Sequence, residues 1–486
     1  MSEIDNKPTH SGSARTADTE LRQGAISWIQ VLAQSVAHIG PTAAVAVLVS
    51  FVFAQAGYGA WLSWALGVIA MLAVAYCVAL LTRRFRTTGS LYELVTRSIG
   101  PAPGFITGWA QFFGYLCGIV PLVIGFALFA GVFLTLFGLP GASPGIQLIF
   151  YFVAIVLPGY LAYRDIRLST NLLLILEATS MVAIVILLLL VMARHGVFFD
   201  AHQFAFPTFS LAGLLTGVVT VVYALAGYES AAALGVESQH GQRSVPRAII
   251  GSLILVALFF VFNAYGQTLG FEGLKGSLAR SEMPLNDLAS GYGLDIFQYI
   301  VTVGVVLSAF AAIIANFNHI PRVMFTMGRR GFLPASLARV HPRSRTPLVA
   351  IIAFGAATFL LVVFGLLVLR LQPLELFALL GGLSGFGLLA SYFFATIAVP
   401  IYLRRNRIMA PLSFVIAVLG LLVILGVFIA TMYPPPAPPA NLFPIVFAIF
   451  LILVLLLYWA LRARRSTRQS IEEDGQSLLE SEAPYD

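Results

Sequence analysis

ISWIQVLAQSVAHIGPTAAVAVLVSFV, residues 26–52, is an apolar run with Gly40-Pro41 close to its midpoint. Crossing a bilayer takes about 20 such residues, because the hydrocarbon core is about 30 Å thick and a helix rises about 1.5 Å per residue. Pro41 removes an amide donor, and Gly40 lowers the cost of leaving helical geometry. Within lipid, broken backbone is tolerated only where it is buried in protein or lines a cavity. His38, Ile39, Gly40, Pro41 and Thr42 are therefore candidates to line a binding site. A plain kink is the alternative, since Gly and Pro are frequent in membrane helices.

The rest of the chain has the same character. Of its 486 residues, 59% are hydrophobic and only 10% charged, against about 25% charged in soluble domains. Twelve apolar runs are long enough to span: approximately 26–52, 59–82, 104–137, 146–163, 170–193, 209–236, 246–271, 295–327, 347–369, 374–402, 411–432 and 442–462. GASPG at 141–145 and YPPPAPPANLFP at 433–444 supply the punctuation that loops require. The expected fold class is an all-α integral membrane protein with twelve transmembrane helices.

Basic residues fix the orientation. With twelve crossings and a cytoplasmic N-terminus, only Arg194, Lys275, Arg280 and Arg370 fall on the far side, leaving 24 of the 28 in the cytoplasm. That bias obeys the positive-inside rule, and a miscounted span would invert every later loop. Both termini are therefore expected in the cytoplasm, with the protein in a cell membrane (plasma or bacterial inner). The polar first 23 residues contain no apolar core, so no removable signal peptide is expected. The acidic stretch from Glu472 reads as a solvated, disordered tail. The one sizeable outer loop, 272–294, has the composition for a short surface helix, a possible lid.

A second break lies in span six, at Tyr223-Ala224-Leu225-Ala226-Gly227-Tyr228-Glu229, five spans after the first. Transporters built from inverted repeats place interrupted helices at corresponding positions of their two halves, facing the substrate. Free amides at a half-helix N-terminus attract a carboxylate, and unwound carbonyls accept from an ammonium group. A zwitterionic amino acid matches both. Tyr223, Ala224, Leu225, Ala226 and Gly227 join the candidate substrate-binding residues.

Carboxylates inside a span are costly and mark function by default. Two lie well within the runs: Glu177, about seven residues from the cytoplasmic end of span five, and Glu229, directly after the span-six break. Desolvation disfavours a bare carboxylate, so both are candidates for proton exchange during transport. The alternatives are a Glu229 that caps amides freed by the break and a Glu177 held in an ion pair, for instance with Arg322. His38 and His319 lie in or near spans and read as packing or as a relay. Trp61, Trp64, Trp109 and Trp459 read as interface anchors, and Cys77 and Cys117 as buried packing thiols.

Other classes lack their signatures. No pore-loop repeat suggests a channel, and no phosphate-cradling glycine loop with lysine suggests an ATP-driven pump. Asp200, His202, Asp287 and Asp295 are scattered through outer loops without catalytic spacing. No catalytic residue, metal site, cofactor or nucleic-acid partner is expected.

Four stretches carry a family resemblance: TGSLYELVTRSIGPAPGFITGWAQFFGY (88–115), YALAGYESAAALGVES (223–238), RSVPRAI (243–249) and MGRRGFLPASLARVHPRSRTPLVAI (327–351). In this order and in these loops the chain resembles the amino acid–polyamine–organocation (APC) superfamily of permeases, from about residue 26 to 402. The resemblance implies a LeuT-type architecture. Residues 26–193 and 209–402 would form two inverted five-helix repeats, followed by spans at 411–462, with cytoplasmic tails at 1–25 and 463–486. It implies alternating access around a central site and adds Tyr115, Ser308 and Ser384 to the substrate candidates. It supports Glu229 as a gating or proton-linked residue; Glu177 falls where some proton-coupled relatives carry lysine. Gly40-Pro41-Thr42 departs from the family's usual Gly-Ser-Gly break, and Pro41 has no amide to offer a carboxylate. The expected activity is secondary active transport of amino acids or related organic amines, a proton symporter first, with exchange (antiporter) and sodium coupling as alternatives.

Overall fold

The computed structural model describes residues 21–205, 210–433 and 435–481, with side chains as far as Ala463. The polar leader before Leu21 and the last five residues lie outside the described residues. Eleven helical stretches among the described residues are long and apolar enough to cross a membrane. The first, Trp28–Arg84, has 57 residues, about 85 Å if it were continuous at 1.5 Å per residue. That is more than twice a hydrocarbon core, and the twelve-crossing reading divides it at a 3-10 turn, Gly57–Gly59.

In chain order the helices are α1 Trp28–Ile39, α2 Pro41–Ala56, α3 Ala60–Arg84, α4 Ser90–Ile99, α5 Pro101–Leu136 and α6 Pro144–Arg164. Then follow α7 Ile166–His195, α8 Leu211–Ala224 with the 3-10 segment Tyr228–Leu234, and α9 Gly241–Glu272. The loop after α9 supplies α10 Pro284–Gly291, whose Leu285 and Leu288 are buried. The chain ends with α11 Ile296–Arg329, α12 Leu348–Val363, α13 Pro373–Arg405, α14 Pro411–Met432 and α15 Phe443–Ser481.

Burial sorts these helices. In its most apolar window α11 is 72% buried, whereas α15 is 11% buried. The former is a central helix and the latter faces lipid, because an all-round apolar helix needs either protein or lipid as its solvent. The helix α5 packs most extensively against α13 and α11, and α9 lies along α3.

Both proposed breaks are real interruptions. Between α1 and α2, Gly40 takes φ 64° and ψ 54°, the left-handed region that glycine enters without a side-chain penalty. Between α8 and the 3-10 segment, Gly227 has φ 116°.

Several expectations need correction. Trp64 is fully buried, its ring 4.4 Å from Phe260 of α9, because α3 lies along α9 at this level. Arg322, counted with the cytoplasmic basic residues, is wholly buried within α11. Span five starts at Ile166, where Asp165 accepts the amide of Arg167 at 2.7 Å and caps the helix. Glu177 therefore sits eleven residues in, about 16 Å along the axis, nearer mid-span than the sequence suggests. The backbone of α15 stays helical past Glu472 to Ser481, since Arg, Gln, Glu and Leu, which dominate there, are good helix formers.

Candidate functional site

The two breaks touch. A Cβ on Gly227 would fall 2.8 Å from the carbonyl carbon and oxygen of His38 and 3.0 Å from the amide nitrogen of Ile39. Those distances are shorter than side-chain atoms tolerate, so the backbone of the second break lies on the first only because residue 227 has no side chain.

Around this contact stands a closed set of polar groups. Glu229 is fully buried. The hydroxyl of Tyr115, on α5, donates to its Oε1. The hydroxyl of Tyr392, on α13, donates to its Oε2 at 2.8 Å, and the amide of Gly227 reaches the same oxygen at 3.2 Å. One carboxylate thus ties the span-six break to spans three and ten and caps an amide that the break frees. Above Tyr115 lie two imidazoles. The ring centroids of His38 and Tyr115 are 4.7 Å apart, those of His38 and His319 5.2 Å, and those of Tyr115 and His319 4.9 Å. All three side chains are buried, and neither imidazole makes a well-formed hydrogen bond.

A second centre lies across α2. Ser308 Oγ, on α11, donates to Glu177 Oε1 at 2.7 Å and accepts the amide of Ala43 at 3.3 Å. The first turn of a helix leaves its amides without partners, and here one is taken by a serine that answers to a carboxylate on α7. Glu177 Oε2 is buried with no hydrogen bond. No ion pair to Glu177 or Glu229 occurs among the described residues. Arg322 instead meets Glu237, Nε to Oε2 at 2.5 Å and a second nitrogen to Oε1 at 3.1 Å, and also donates to the carbonyl of Asn318.

The other candidates are placed as follows. Thr42 is buried with its hydroxyl free of hydrogen bonds, and Ile39 is also buried. A Cβ on Gly40 would stand 3.4 Å from Ala312 of α11. Ala224 ends α8, and Leu225 and Ala226 lie in the turn before the 3-10 segment, with Ala226 donating to the carbonyl of Tyr223 at 3.2 Å. Ser384 packs where a Cβ on Gly118 would meet its Oγ at 2.7 Å. Tyr223 points elsewhere: its hydroxyl is 2.8 Å from Thr431 Oγ1 on α14. The structure brings His38, Tyr115, Gly227 and Glu229 into one cluster and Glu177 and Ser308 into another, and leaves Tyr223 aside.

On the side of the breaks that carries Ile26 and Ser238 the chain is knitted shut. Ile26 and Ser238 form an isolated parallel bridge, with Ile26 donating to Glu237 at 3.1 Å and Gln239 to Ile26 at 3.0 Å. Gln34 joins in, donating to the carbonyl of Ala315 at 2.9 Å and accepting from Asn318 at 3.1 Å. Beneath lies a cavity of about 380 Å³ whose walls include Arg86, Glu93, Arg97 and Arg329.

A central helix pair, interrupted at mid-span and facing buried carboxylates, is the geometry of a carrier. The amino acid permease family profile matches residues 30–472. The chain belongs to the amino acid permease family. The permease is 26% identical over 377 residues to a branched-chain amino acid permease of Bacillus subtilis, covering 74% of this chain and 76% of that protein. It is 25% identical over 363 residues to a low-affinity putrescine importer of Escherichia coli, covering 71% and 74%. Its fold is that of MhsT, solved in complex with L-phenylalanine: TM-score 0.60, 16% identity, 84% of this chain and 99% of that one. The permease is thus an integral membrane protein of LeuT-type fold and a secondary transporter.

Sequence reasoning passed over several residues of the permease. Tyr392 sits in an apolar run where a tyrosine reads as packing, and only the fold turns its hydroxyl onto Glu229. Glu237, next to last in the 223–238 stretch, drew no reading from the sequence, yet it is buried against Arg322. Asp200 and His202, which read as scattered, meet Glu272 at the C-terminal end of α9: each offers a ligand atom within 4.8 Å of the others. Residues 72 positions apart give no spacing signal for such a meeting.

Proposed function

We propose that the permease carries amino acids or related organic amines by proton-coupled alternating access, with residues 26–193 and 209–402 as its two inverted repeats. The observation that carries this reading is Glu177: a buried carboxylate without an ion pair, linked through Ser308 to the first turn of α2. Its unbonded Oε2 is where a proton would reside, and a proton arriving or leaving there would alter the hold on the broken helix. Glu229, clasped by two tyrosines, would close the span-six half over substrate bound between the breaks. The family and the two relatives, named for branched-chain amino acids and putrescine, support a substrate bearing an amino group. Pro41 offers no amide, so a substrate carboxylate would rely on Thr42 and its neighbours. The expected setting is a cell membrane with both termini cytoplasmic.

The test is uptake by purified protein in liposomes. Labelled amino acids and polyamines are presented with an inward proton gradient, with an inward sodium gradient, and with neither. Accumulation of one class above equilibrium under the proton gradient alone, abolished in Glu177→Gln while counterflow exchange persists, is the expected result. Sodium-driven accumulation, or gradient-driven uptake that survives Glu177→Gln, would overturn proton coupling at this residue. Transport only into preloaded vesicles would make the permease an exchanger.

A further inference from the structure

Away from the central site, at the outer ends of three helices, a second polar cluster has a form that transport does not explain. Asp200 opens the short 3-10 turn Ala201–Phe204 in the segment joining α7 to α8, and it accepts the amide of His202 at 2.8 Å. His202 Nδ1 stands 3.3 Å from Asp200 Oδ1 and 4.0 Å from Glu272 Oε1 at the end of α9. The ring of Tyr58, from the turn between α2 and α3, lies 6.1 Å from that of His202. The segment is firmly placed: Trp61 donates to the carbonyl of Gln203 at 2.8 Å, and Tyr265 takes the amide of Asp200 at 2.9 Å.

Two features point to a ligand. Asp200 is 4% exposed, and its Oδ2 is buried without a hydrogen bond. A buried carboxylate oxygen left unpartnered beside a second carboxylate is unfavourable unless a cation joins them. The spacing also suits a metal. Ligands about 2.0–2.2 Å from a tetrahedral zinc ion lie about 3.4 Å from one another. His202 Nδ1 stands 3.3 and 4.0 Å from the two carboxylates, and all three ligand atoms lie within 4.8 Å of one another before any ion draws them together. The side chain of His202 is 73% exposed, so an ion has access from the outer side.

We propose that Asp200, His202 and Glu272 form a site for a divalent transition metal of the zinc class. One imidazole nitrogen and two carboxylates suit a borderline ion, whereas magnesium and calcium prefer oxygen alone. Three protein ligands leave a coordination position for water. The bound ion fastens the segment that joins spans five and six to the outer end of span seven. This site is independent of the substrate reading.

The test uses full-length, tag-free protein in detergent, dialysed against chelator and titrated with Zn²⁺ alone by calorimetry. Metal content is counted after gel filtration. The expected result is one Zn²⁺ per chain, with affinity weakened at least tenfold by His202→Ala and by Asp200→Asn. Zn²⁺ should raise the melting temperature of the wild type and not of His202→Ala, because a ligand that binds the folded state stabilises it. His202 is largely exposed, so its truncation leaves the fold intact, and Glu272→Gln serves if Asp200→Asn does not fold. Substoichiometric zinc, zinc binding unchanged in the variants, or displacement by equimolar Mg²⁺ would each overturn the proposal.

Discussion

Substituting Gly227 by alanine tests the contact on which the central site is built. The new Cβ would stand 2.8 Å from the His38 carbonyl and 3.0 Å from the Ile39 amide, backbone atoms that cannot rotate away. Overpacking of that kind costs about 1–3 kcal/mol. The φ of 116° adds backbone strain of about 1–3 kcal/mol for a residue with a side chain. The smallest sum, about 2 kcal/mol, corresponds to a population change of about 30-fold, at tenfold per 1.4 kcal/mol. The joined arrangement of the two breaks should be depleted by that factor. Initial uptake per folded protein in liposomes should then fall at least tenfold, with a lower melting temperature in detergent. Gly125→Ala is the control: nothing lies within 4 Å of its Cβ position, and alanine is the better helix former, so transport and melting should hold. If Gly227→Ala matches wild type in both assays, the two breaks do not meet as described and the site must be rebuilt.

Two further substitutions follow from the geometry. Tyr392→Phe and Tyr115→Phe each remove one hydrogen bond to Glu229, and bonds to a charged group contribute about 1.5–3 kcal/mol. Each should lower kcat/KM for uptake about 10- to 100-fold, and the double variant by less than the product, because both hydroxyls serve one carboxylate; singles within twofold of wild type would argue against the clasp. Arg322→Met leaves Glu237 buried and alone, which costs about 3–5 kcal/mol, whereas Arg322→Met with Glu237→Leu should regain most of the lost melting temperature. A double variant no more stable than Arg322→Met would show that the pair is not the relevant partner.

Much of this was legible in the chain. Apolar runs must be long to cross lipid, so the spans stand out whatever their packing. Gly40-Pro41 announces a break because proline removes an amide donor and glycine lowers the cost of leaving helical geometry. The break in span six was visible only by comparison with the first, through Gly227 and the carboxylate after it. What stayed hidden depends on which way a side chain turns. Tyr223 and Tyr392 look alike in sequence, yet one bonds Thr431 on α14 and the other Glu229 at the centre. Arg322 looked like one more basic residue near a span end, because a lone charge carries no sign of its partner 85 positions away. Asp200, His202 and Glu272 converge only after α7 and α9 have taken their places.

The pairing of Arg322 with Glu237 also bears on how the carrier feels the membrane potential. Moving one elementary charge across the field is worth about 2.3 kcal/mol per 100 mV. A guanidinium and a carboxylate displaced together carry no net charge, so the electric work of shifting this intact pair largely cancels. Shifting the pair as one unit is in this respect an electrically silent motion. Any voltage dependence of the cycle then arises from charge outside this pair: a charged substrate, or Glu177 and Glu229 when ionised.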